Sequence, residues 1–476
     1  MPGSDFPNVI AIDLGAESCR VSLLRWSEDK PHIELVHRFG NSPVAVGASV
    51  HWNLQHILAE LDSGLMRCAE RCADPIASIG VDGWAVDCVR MDQQFFALGD
   101  PYCYRDARTE ATFAEIESRC PSVELFLRSG VQPLRINTMY QLMADQKGGM
   151  PASTLWANLP EYVLARFGGR LVAEYTNATH TGLVDLRQHA WNKEVFDLAG
   201  LIVAAAPELV STGTDLGQFR DGVGESTALL QTRLIAVACH DTASAVAAIP
   251  IEGNDWAYLS SGTWSLLGTL LDAPIMTAEA GAAGFTNLGA AGNRICFHKN
   301  LNGMWLLKQT MLQLCPEPDM WPMAELVAAA EAVDAPEQLL DVDDSSLLLP
   351  GSMASRINAQ RARLGAPQLE EHTSAMPQFA SLIFHSLAHR YAETLHDLEA
   401  LTGKQLKRLA IVGGGSLNQF LNRLTAEATG LDIFCGVAES STIGNFAVQL
   451  ASLEGKPNSP ARIAHWARAL TSLHHC

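Results

Sequence analysis

Asn8-Val9-Ile10-Ala11-Ile12-Asp13-Leu14-Gly15-Ala16-Glu17-Ser18-Cys19-Arg20-Val21-Ser22-Leu23-Leu24 is the stretch that decides the fold class. Two apolar runs, Asn8 to Ile12 and Arg20 to Leu24, flank a short turn around Gly15, which predicts a β-hairpin. The plan recurs where the second half of the chain begins. Trp256-Ala257-Tyr258-Leu259 leads into Ser260-Ser261-Gly262-Thr263-Trp264-Ser265, and Leu266-Leu267-Gly268-Thr269 follows. Two hairpins of one plan, each opening a half of the chain, predict two domains of common ancestry facing each other across a cleft. The expected boundaries are 1–238 and 239–476.

Working outward, Ile79-Gly80-Val81-Asp82-Gly83-Trp84-Ala85-Val86-Asp87 reads as a buried strand ending in acids. The stretch from His56 to Cys72 has the apolar spacing of an amphipathic helix. In the second half, the strand Leu409-Ala410-Ile411-Val412 runs into Gly413-Gly414-Gly415-Ser416. A helix with Leu417, Phe420, Leu421, Leu424 and Ala428 on one face follows, with Ser416 as N-cap and Gly430 as terminator. Asp341 to Met376, rich in Ser, Pro, Gly, Asp and Gln, reads as loop with short helical pieces. Strands and helices alternate, so the class is α/β.

A chain of 476 residues exceeds one ordinary core. With 48% hydrophobic and 18% charged residues its composition is that of a globular protein. The net charge of -19 argues against a non-specific nucleic-acid or anionic-membrane binder, and means that an anionic substrate must be held by local donors. Eleven cysteines without a C-x-x-C pair read as reduced, mostly packed thiols of a cytoplasmic protein. Cys68 and Cys72, one helical turn apart, are two ligands at most and read as structural. The first residues lack a basic region and a long apolar stretch, so no signal peptide is expected. No apolar run reaches the roughly 18 residues of a membrane span. The sequon Asn177-Ala178-Thr179 is read as chance.

The chemistry concentrates in Ala238-Cys239-His240-Asp241-Thr242-Ala243-Ser244 and in the Ser261-Gly262-Thr263 turn. A carboxylate at the end of an apolar run, followed by a turn with backbone and hydroxyl donors, suits phosphoryl transfer to an alcohol. Asp241 is the candidate base, and equally a helix N-cap; the two roles are compatible. Gly262 and Thr263 offer donors to a β- or γ-phosphate, or simply close a hairpin. Neither G-x-x-x-x-G-K-[ST] nor a G-x-G-x-x-G fingerprint after a strand is present. A nucleotide site therefore has to come from other glycine turns, and Gly413-Gly414-Gly415 before a helix is the candidate. Asp13 can hold Mg²⁺ through water, or form the turn. Arg20 lies near phosphate or on the surface. His240, Asp82, Trp84 and Asp87, with Gly83 among them, offer hydrogen bonds and a stacking face to a polyol, although a single tryptophan is more often core.

Taken together, these segments resemble the FGGY carbohydrate kinases of the actin, hexokinase and Hsp70 ATPase superfamily. The matching stretches include Ile12 to Ala16, Asp82 to Asp87, Tyr104 to Thr109, Ile136 to Leu142, Glu174 to Thr179, His240 to Val246, Tyr258 to Ser265, Lys299-Asn300 and Ile411 to Gly415. They are collinear over nearly the whole chain, and the similarity is greatest to the rhamnulokinase branch. The resemblance implies two RNase H-like domains around an ATP cleft, with sugar bound mainly to the first and the last helical segment packed back across it. It implies Asp241 as proton acceptor, and His240, Thr242, position Ala85 and Asn300 around the sugar. The turn Ala16-Glu17-Ser18-Cys19-Arg20, Thr263 and Gly414 would face ATP, and Asp13 would support magnesium. It further implies ATP-dependent phosphorylation of a ketose, L-rhamnulose, at its C1 hydroxyl. L-Fuculose, L-xylulose or a non-catalytic sugar or nucleotide sensor are the alternatives.

This chain departs from the branch at several positions. Gly15-Ala16-Glu17-Ser18-Cys19-Arg20 stands where Gly-Ala-Ser-Ser-Gly-Arg is common, so Glu17 would repel a triphosphate unless turned outward. Cys19 would lose a glycine's freedom at the turn tip. Ala85 replaces glycine at the sugar wall, and Lys308 replaces a nucleotide-side glutamine, a change that could offset Glu17.

Overall fold

A computed structural model of the chain describes residues 6–220, 227–317, 320–436, 439–471 and 473–475. It divides into two compact units. The first contains Met1–Pro250, Leu270–Phe297 and Ser440–Thr471; the second contains Ile251–Thr269, His298–Glu439 and Ser472–Cys476.

The first unit is built on a six-stranded mixed sheet. Its strands are β1 (Asn8–Leu14), β2 (Ser18–Ser27), β3 (Lys30–Gly40), β4 (Ile76–Gly83), β5 (Thr214–Gln218) and β6 (Arg233–Ala236), in the order β5-β6-β4-β1-β2-β3. β1 and β2 form the expected hairpin, with Asp13 opposite Arg20. β4 runs parallel to β1 on its other side, which puts Asp82 in register with Asp13.

Successive residues of a strand face opposite sides, and here both sides are covered, which is why β1 reads as a continuous apolar run. Ile10 and Ile12 pack with Val21, Leu23, Ile79 and Val81 against Ile57, Leu61, Leu65 and Cys68 of the helix Leu54–Glu70. Val9 and Ala11 pack with Leu24, Ile235 and Val237 against Ile443, Phe446 and Ala447 of the helix Ser440–Leu453 and Trp466 of the helix Pro460–Leu470.

The second unit repeats the plan. β7 (Trp256–Ser261) and β8 (Trp264–Leu271) are antiparallel and meet at Ser261 opposite Ser265. With β9 (Arg294–Asn302), which enters this unit at His298, β10 (Arg408–Val412) and β11 (Asp432–Cys435), the strands run in the order β9-β8-β7-β10-β11. β10 lies parallel to β7, as β4 does to β1. Two mixed sheets in two α/β units make the expected fold class.

Four expectations need correction. The helix after the triple glycine is Gln419–Thr429, and its N-cap is Asn418, whose side chain accepts from Leu421 N. Ser416 instead lies in a 3₁₀ turn, Gly414–Leu417, with its hydroxyl donating to Gly413 O, and Leu417 is 72% exposed rather than on the buried face. Gly430 ends the helix in the left-handed conformation, as expected. The stretch 341–376 contains an 11-residue helix, Met353–Arg363, whose Met353, Ala354 and Ile357 are buried. Nine described cysteines are free thiols, but Cys435 is disulfide-bonded, against the expectation of thiols throughout.

Asn177 is fully buried and donates to Glu161, so its side chain is closed to a glycan in the folded protein. Among the described residues no helix is long and apolar enough to cross a membrane.

Candidate active site

Two clusters of the expected residues form, one in each unit. The first gathers at the C-terminal ends of β1 and β4 and at the turn after β6. Gly83 N donates to Cys239 O at 3.0 Å, Trp84 N donates to Leu14 O at 3.0 Å, and Gly83 bridges His240. A Cβ on Gly83 would lie 2.7 Å from Leu14 Cβ, so the three segments converge only because residue 83 has no side chain.

Three aspartates result. Asp13 is 2% exposed and Asp82 is fully buried, whereas 37% of the Asp241 side chain is exposed. Asp241 is the first residue of the helix Asp241–Ala247, and His240 is its N-cap, so the expected capping role of Asp241 is not realised. Close packing raises the Asp241 pKa to about 6, with the Thr242 hydroxyl, donating to Oδ1 at 3.1 Å, opposing the shift. His240 Nε2 lies 3.3 Å from the same oxygen. Burial lowers the His240 pKa to about 3, so the ring is neutral and the contact is no ion pair.

Asp13 and Asp82 stand side by side as like charges, which few sites tolerate without compensation. Burial raises Asp13, and Arg20, donating to Oδ2 at 3.0 Å, opposes it. Arg20 is thereby an ion-pair partner of Asp13. Burial, and then the neighbouring Asp13, raise Asp82 well above the usual carboxyl range.

The remaining support comes from the helix Ser440–Leu453. Ser441 Oγ donates to Asp13 Oδ2 at 2.7 Å, and Asn445 Nδ2 donates to Asp82 Oδ2 at 2.6 Å. Gln449 Nε2 donates to Ile10 O at 2.9 Å and accepts, at Oε1, from Ser78 Oγ at 2.6 Å. The sequence reading missed these three residues. Their signal is a polar residue at every fourth position, Ser441, Asn445 and Gln449, one stripe of the helix facing the sheet. Two glycines admit the helix: a Cβ on Gly80 would meet Asn445 Oδ1 at 2.6 Å, and one on Gly444 would meet Ser244 O at 1.7 Å.

The expected sugar wall, Trp84 to Asp87, is more deeply set than a contact surface. Asp87 is fully buried. Its Oδ2 accepts from Trp52 Nε1 at 2.6 Å, Trp84 Nε1 at 3.0 Å and Tyr104 N at 3.2 Å, while its Oδ1 accepts from Gln141 Nε2 at 2.9 Å. Both oxygens are thus committed to the protein, and the expectation that Asp87 itself meets the sugar is corrected: it braces the loop. Burial raises its pKa to about 6, against these four donors. Val86 holds φ 72°, a costly conformation for a β-branched residue, with its carbonyl accepting from Thr138 Oγ1 at 2.7 Å. Trp84 and Ala85 are 6% and 8% exposed.

In the turn between β1 and β2, Gly15 is required because a Cβ would lie 2.4 Å from Ser18 O. Ala16 packs at the edge of the core, Glu17 is exposed, and Ser18 Oγ accepts from Arg38 Nη2 at 3.3 Å. Cys19 already belongs to β2 with a fully buried side chain and ordinary strand backbone. The expected penalty for losing a glycine there, and a thiol facing nucleotide, are both corrected.

The second cluster lies in the other unit. Gly262 N donates to Trp264 O at 2.9 Å, leaving Thr263 exposed at the hairpin tip. Gly262 O and Thr263 O accept from Met304 N and Trp305 N, at the start of the helix Trp305–Leu314. The triple glycine presses on the same hairpin. A Cβ on Gly413, at φ 82°, would meet Ser261 O at 2.8 Å, and one on Gly415 would meet Ser261 Oγ at 1.9 Å. A Cβ on Gly414 would meet nothing within 4 Å. Packing therefore demands two of the glycines, and the exposed third faces open space.

Beside the hairpin is a cavity of about 370 Å³ lined by Thr263, Met304, Leu307, Lys308, Met311 and Met323. It is of ligand size and mostly apolar, with the Lys308 cation, the Thr263 hydroxyl and the Glu317 carboxylate among its polar groups. Asn300 is exposed on β9 and does not line this cavity.

Among the described residues no group of three metal-ligating side chains forms. The first cluster still fits a hydrated divalent ion. Asp82 Oδ1 is buried without a hydrogen-bond partner, and Asp13 and Asp241 each raise the Asp82 pKa by their charge, a repulsion that a cation would relieve.

The fold is a two-domain α/β architecture of the actin and hexokinase type. Residues 8–248 match the model of the FGGY family of carbohydrate kinases, N-terminal domain, and residues 257–453 match the C-terminal domain of the same family. The chain belongs to the FGGY family of carbohydrate kinases.

Among solved structures it is similar to gluconate kinase from Lactobacillus acidophilus, at 14% identity and TM-score 0.77 over 99% of this chain and 93% of that one. Xylulose kinase from the same organism matches at 14% identity and TM-score 0.77, over 98% and 93%. Plasmodium falciparum glycerol kinase with ADP matches at 16% identity and TM-score 0.75, over 99% and 94%. At such identities the likeness shows the fold alone. Kinases of this family use ATP.

Proposed function

We propose that the protein transfers the γ-phosphoryl group of MgATP to the C1 hydroxyl of a ketose, L-rhamnulose, with Asp241 as general base. One observation carries the assignment: of the three clustered aspartates, Asp241 alone is open enough to reach a ligand, and its pKa near 6 leaves it ionised at neutral pH yet basic enough to accept a proton. Asp241 takes the hydroxyl proton as the sugar oxygen bonds to phosphorus and the bond from phosphorus to ADP breaks. Neutral His240 and the Thr242 hydroxyl orient the sugar without competing for that proton. Thr263 and Gly414, the exposed groups of the second cluster, hold the phosphates, and the methionine-lined cavity beside Thr263 takes the base.

Asp13, Asp82 and Ser441 are the groups suited to hold magnesium through water; when bound, it supplies charge to offset that of the phosphates. The choice of L-rhamnulose rests on sequence similarity to the rhamnulokinase branch. The similar solved structures include xylulose and gluconate kinases, so the choice of sugar is what the first assay addresses.

The test is ADP release from MgATP by purified protein against a panel of ketoses and their aldose isomers. L-Rhamnulose is expected to give the highest kcat/KM. A higher value with L-fuculose or D- or L-xylulose would keep the mechanism and replace the sugar. No sugar-dependent release by folded protein across the panel would overturn the kinase reading in favour of a sensor.

A further inference from the structure

Two carboxyl groups with no role so far, Glu161 and Glu174, are fully buried in the first unit. Burying ionisable groups costs several kcal/mol each unless they are well bonded, so a pair of them calls for a reason. Glu174 ends the short strand Val172–Glu174 and caps the helical turn Tyr175–Ala178. Its Oε2 accepts from Thr176 N at 3.0 Å, Thr176 Oγ1 at 2.5 Å and Cys239 N at 3.0 Å, and its Oε1 accepts from Thr212 Oγ1 at 2.5 Å. The Thr176 hydroxyl in turn accepts from His240 N at 3.3 Å.

The amides of the two residues preceding Asp241 are therefore both held by one carboxylate, directly and through one hydroxyl. Glu161 accepts from Glu174 N and Asn177 Nδ2, and burial followed by the Glu174 charge raises its pKa to about 8. Burial raises the Glu174 pKa as well, and the bonds from Thr176, Thr212 and Cys239 oppose that rise. Asp241 opens a helix of seven residues whose N-cap, His240, makes no side-chain capping bond. The peptides of Cys239 and His240 lead directly into Asp241, so what holds them fixes where the backbone carrying its carboxylate stands.

We infer that Glu174, acting through Cys239 N and the Thr176 hydroxyl, is the positioning residue for the Asp241 carboxylate. The inference rests on the reading of Asp241 as base. A base displaced by a fraction of an ångström loses much of its effect, because proton transfer needs hydrogen-bond distance.

The test compares Glu174→Gln, Thr176→Val and Thr176→Ser with Asp241→Asn. The readouts are kcat with the best ketose, thermal midpoint, and amide hydrogen exchange over residues 236–247, assayed well below every midpoint. Glu174→Gln and Thr176→Val should lower kcat at least about tenfold and speed exchange at Cys239 and His240, whereas Thr176→Ser, which keeps the hydroxyl, should restore both. If Glu174→Gln does not fold, the Thr176 pair decides alone. Wild-type kcat in Thr176→Val, or equal impairment in Thr176→Ser and Thr176→Val, overturns the inference. Loss of turnover in Asp241→Asn beside wild-type turnover in folded Glu174→Gln and Thr176→Val would sink the positioning role alone. Wild-type turnover in Asp241→Asn would sink the base reading, and this inference with it.

Discussion

Replacing Asp241 by Asn should lower activity and raise stability at once, and the structure sets both magnitudes. The carboxyl is held near pKa 6 in the folded protein against an ordinary 3.8. Because the folded value is raised, proton binding favours the native state. That contribution is complete below the unfolded pKa and is lost as pH rises through about 6, so at pH 7 the ionised side chain is a net cost. A shift of two units corresponds to about 3 kcal/mol in a dry site. With 37% of the side chain exposed, solvent screening reduces this to about 1 kcal/mol. Asn removes the charge, so the variant should melt about 2 °C higher at pH 7 and show no gain at pH 4.

Activity should move the other way. Loss of a positioned base costs about 10²-fold or more in kcat. In the wild-type enzyme kcat/KM should fall about tenfold per pH unit below 6, since only the ionised base is competent. Calorimetry at pH 4 and 7, with initial rates from pH 5 to 8, checks both halves. A wild-type kcat/KM that is flat between pH 5 and 7, or an Asn variant retaining a tenth of wild-type turnover, would refute the reasoning.

Gly444→Ala should destabilise the first unit by about 3 kcal/mol or more, because its Cβ would lie 1.7 Å from Ser244 O where helix meets helix; urea titration reads the loss. Gly414→Ala and Gly415→Ala should separate binding from folding. The first has open space and should raise the KM for MgATP with the midpoint unchanged, whereas the second collides with Ser261 and should lower the midpoint by several degrees. Equal midpoints for the two variants would contradict this packing.

The sequence by itself determined the elements that are local. Each hairpin is legible because apolar runs flank a glycine turn, and Val9 to Ile12 of β1 form an unbroken apolar run because helices cover both faces of the sheet. The end of the helix at Gly430 follows from the freedom of glycine in the left-handed region, and Asp241 is conspicuous as a carboxylate closing an apolar run. Tertiary structure alone decided what each polar group is for. Asp87, expected at the sugar, is enclosed by Trp52, Trp84, Tyr104 and Gln141, and Cys19 turns into the core. Asp13 meets Ser441, Asp82 meets Asn445, and Glu174 meets the amide of Cys239, all across chain separations that no periodicity records. Apolar burial depends on a residue's own type and spacing and can be read one segment at a time. A buried charge is satisfied only by particular donors in particular places, and the packing of distant segments alone supplies them.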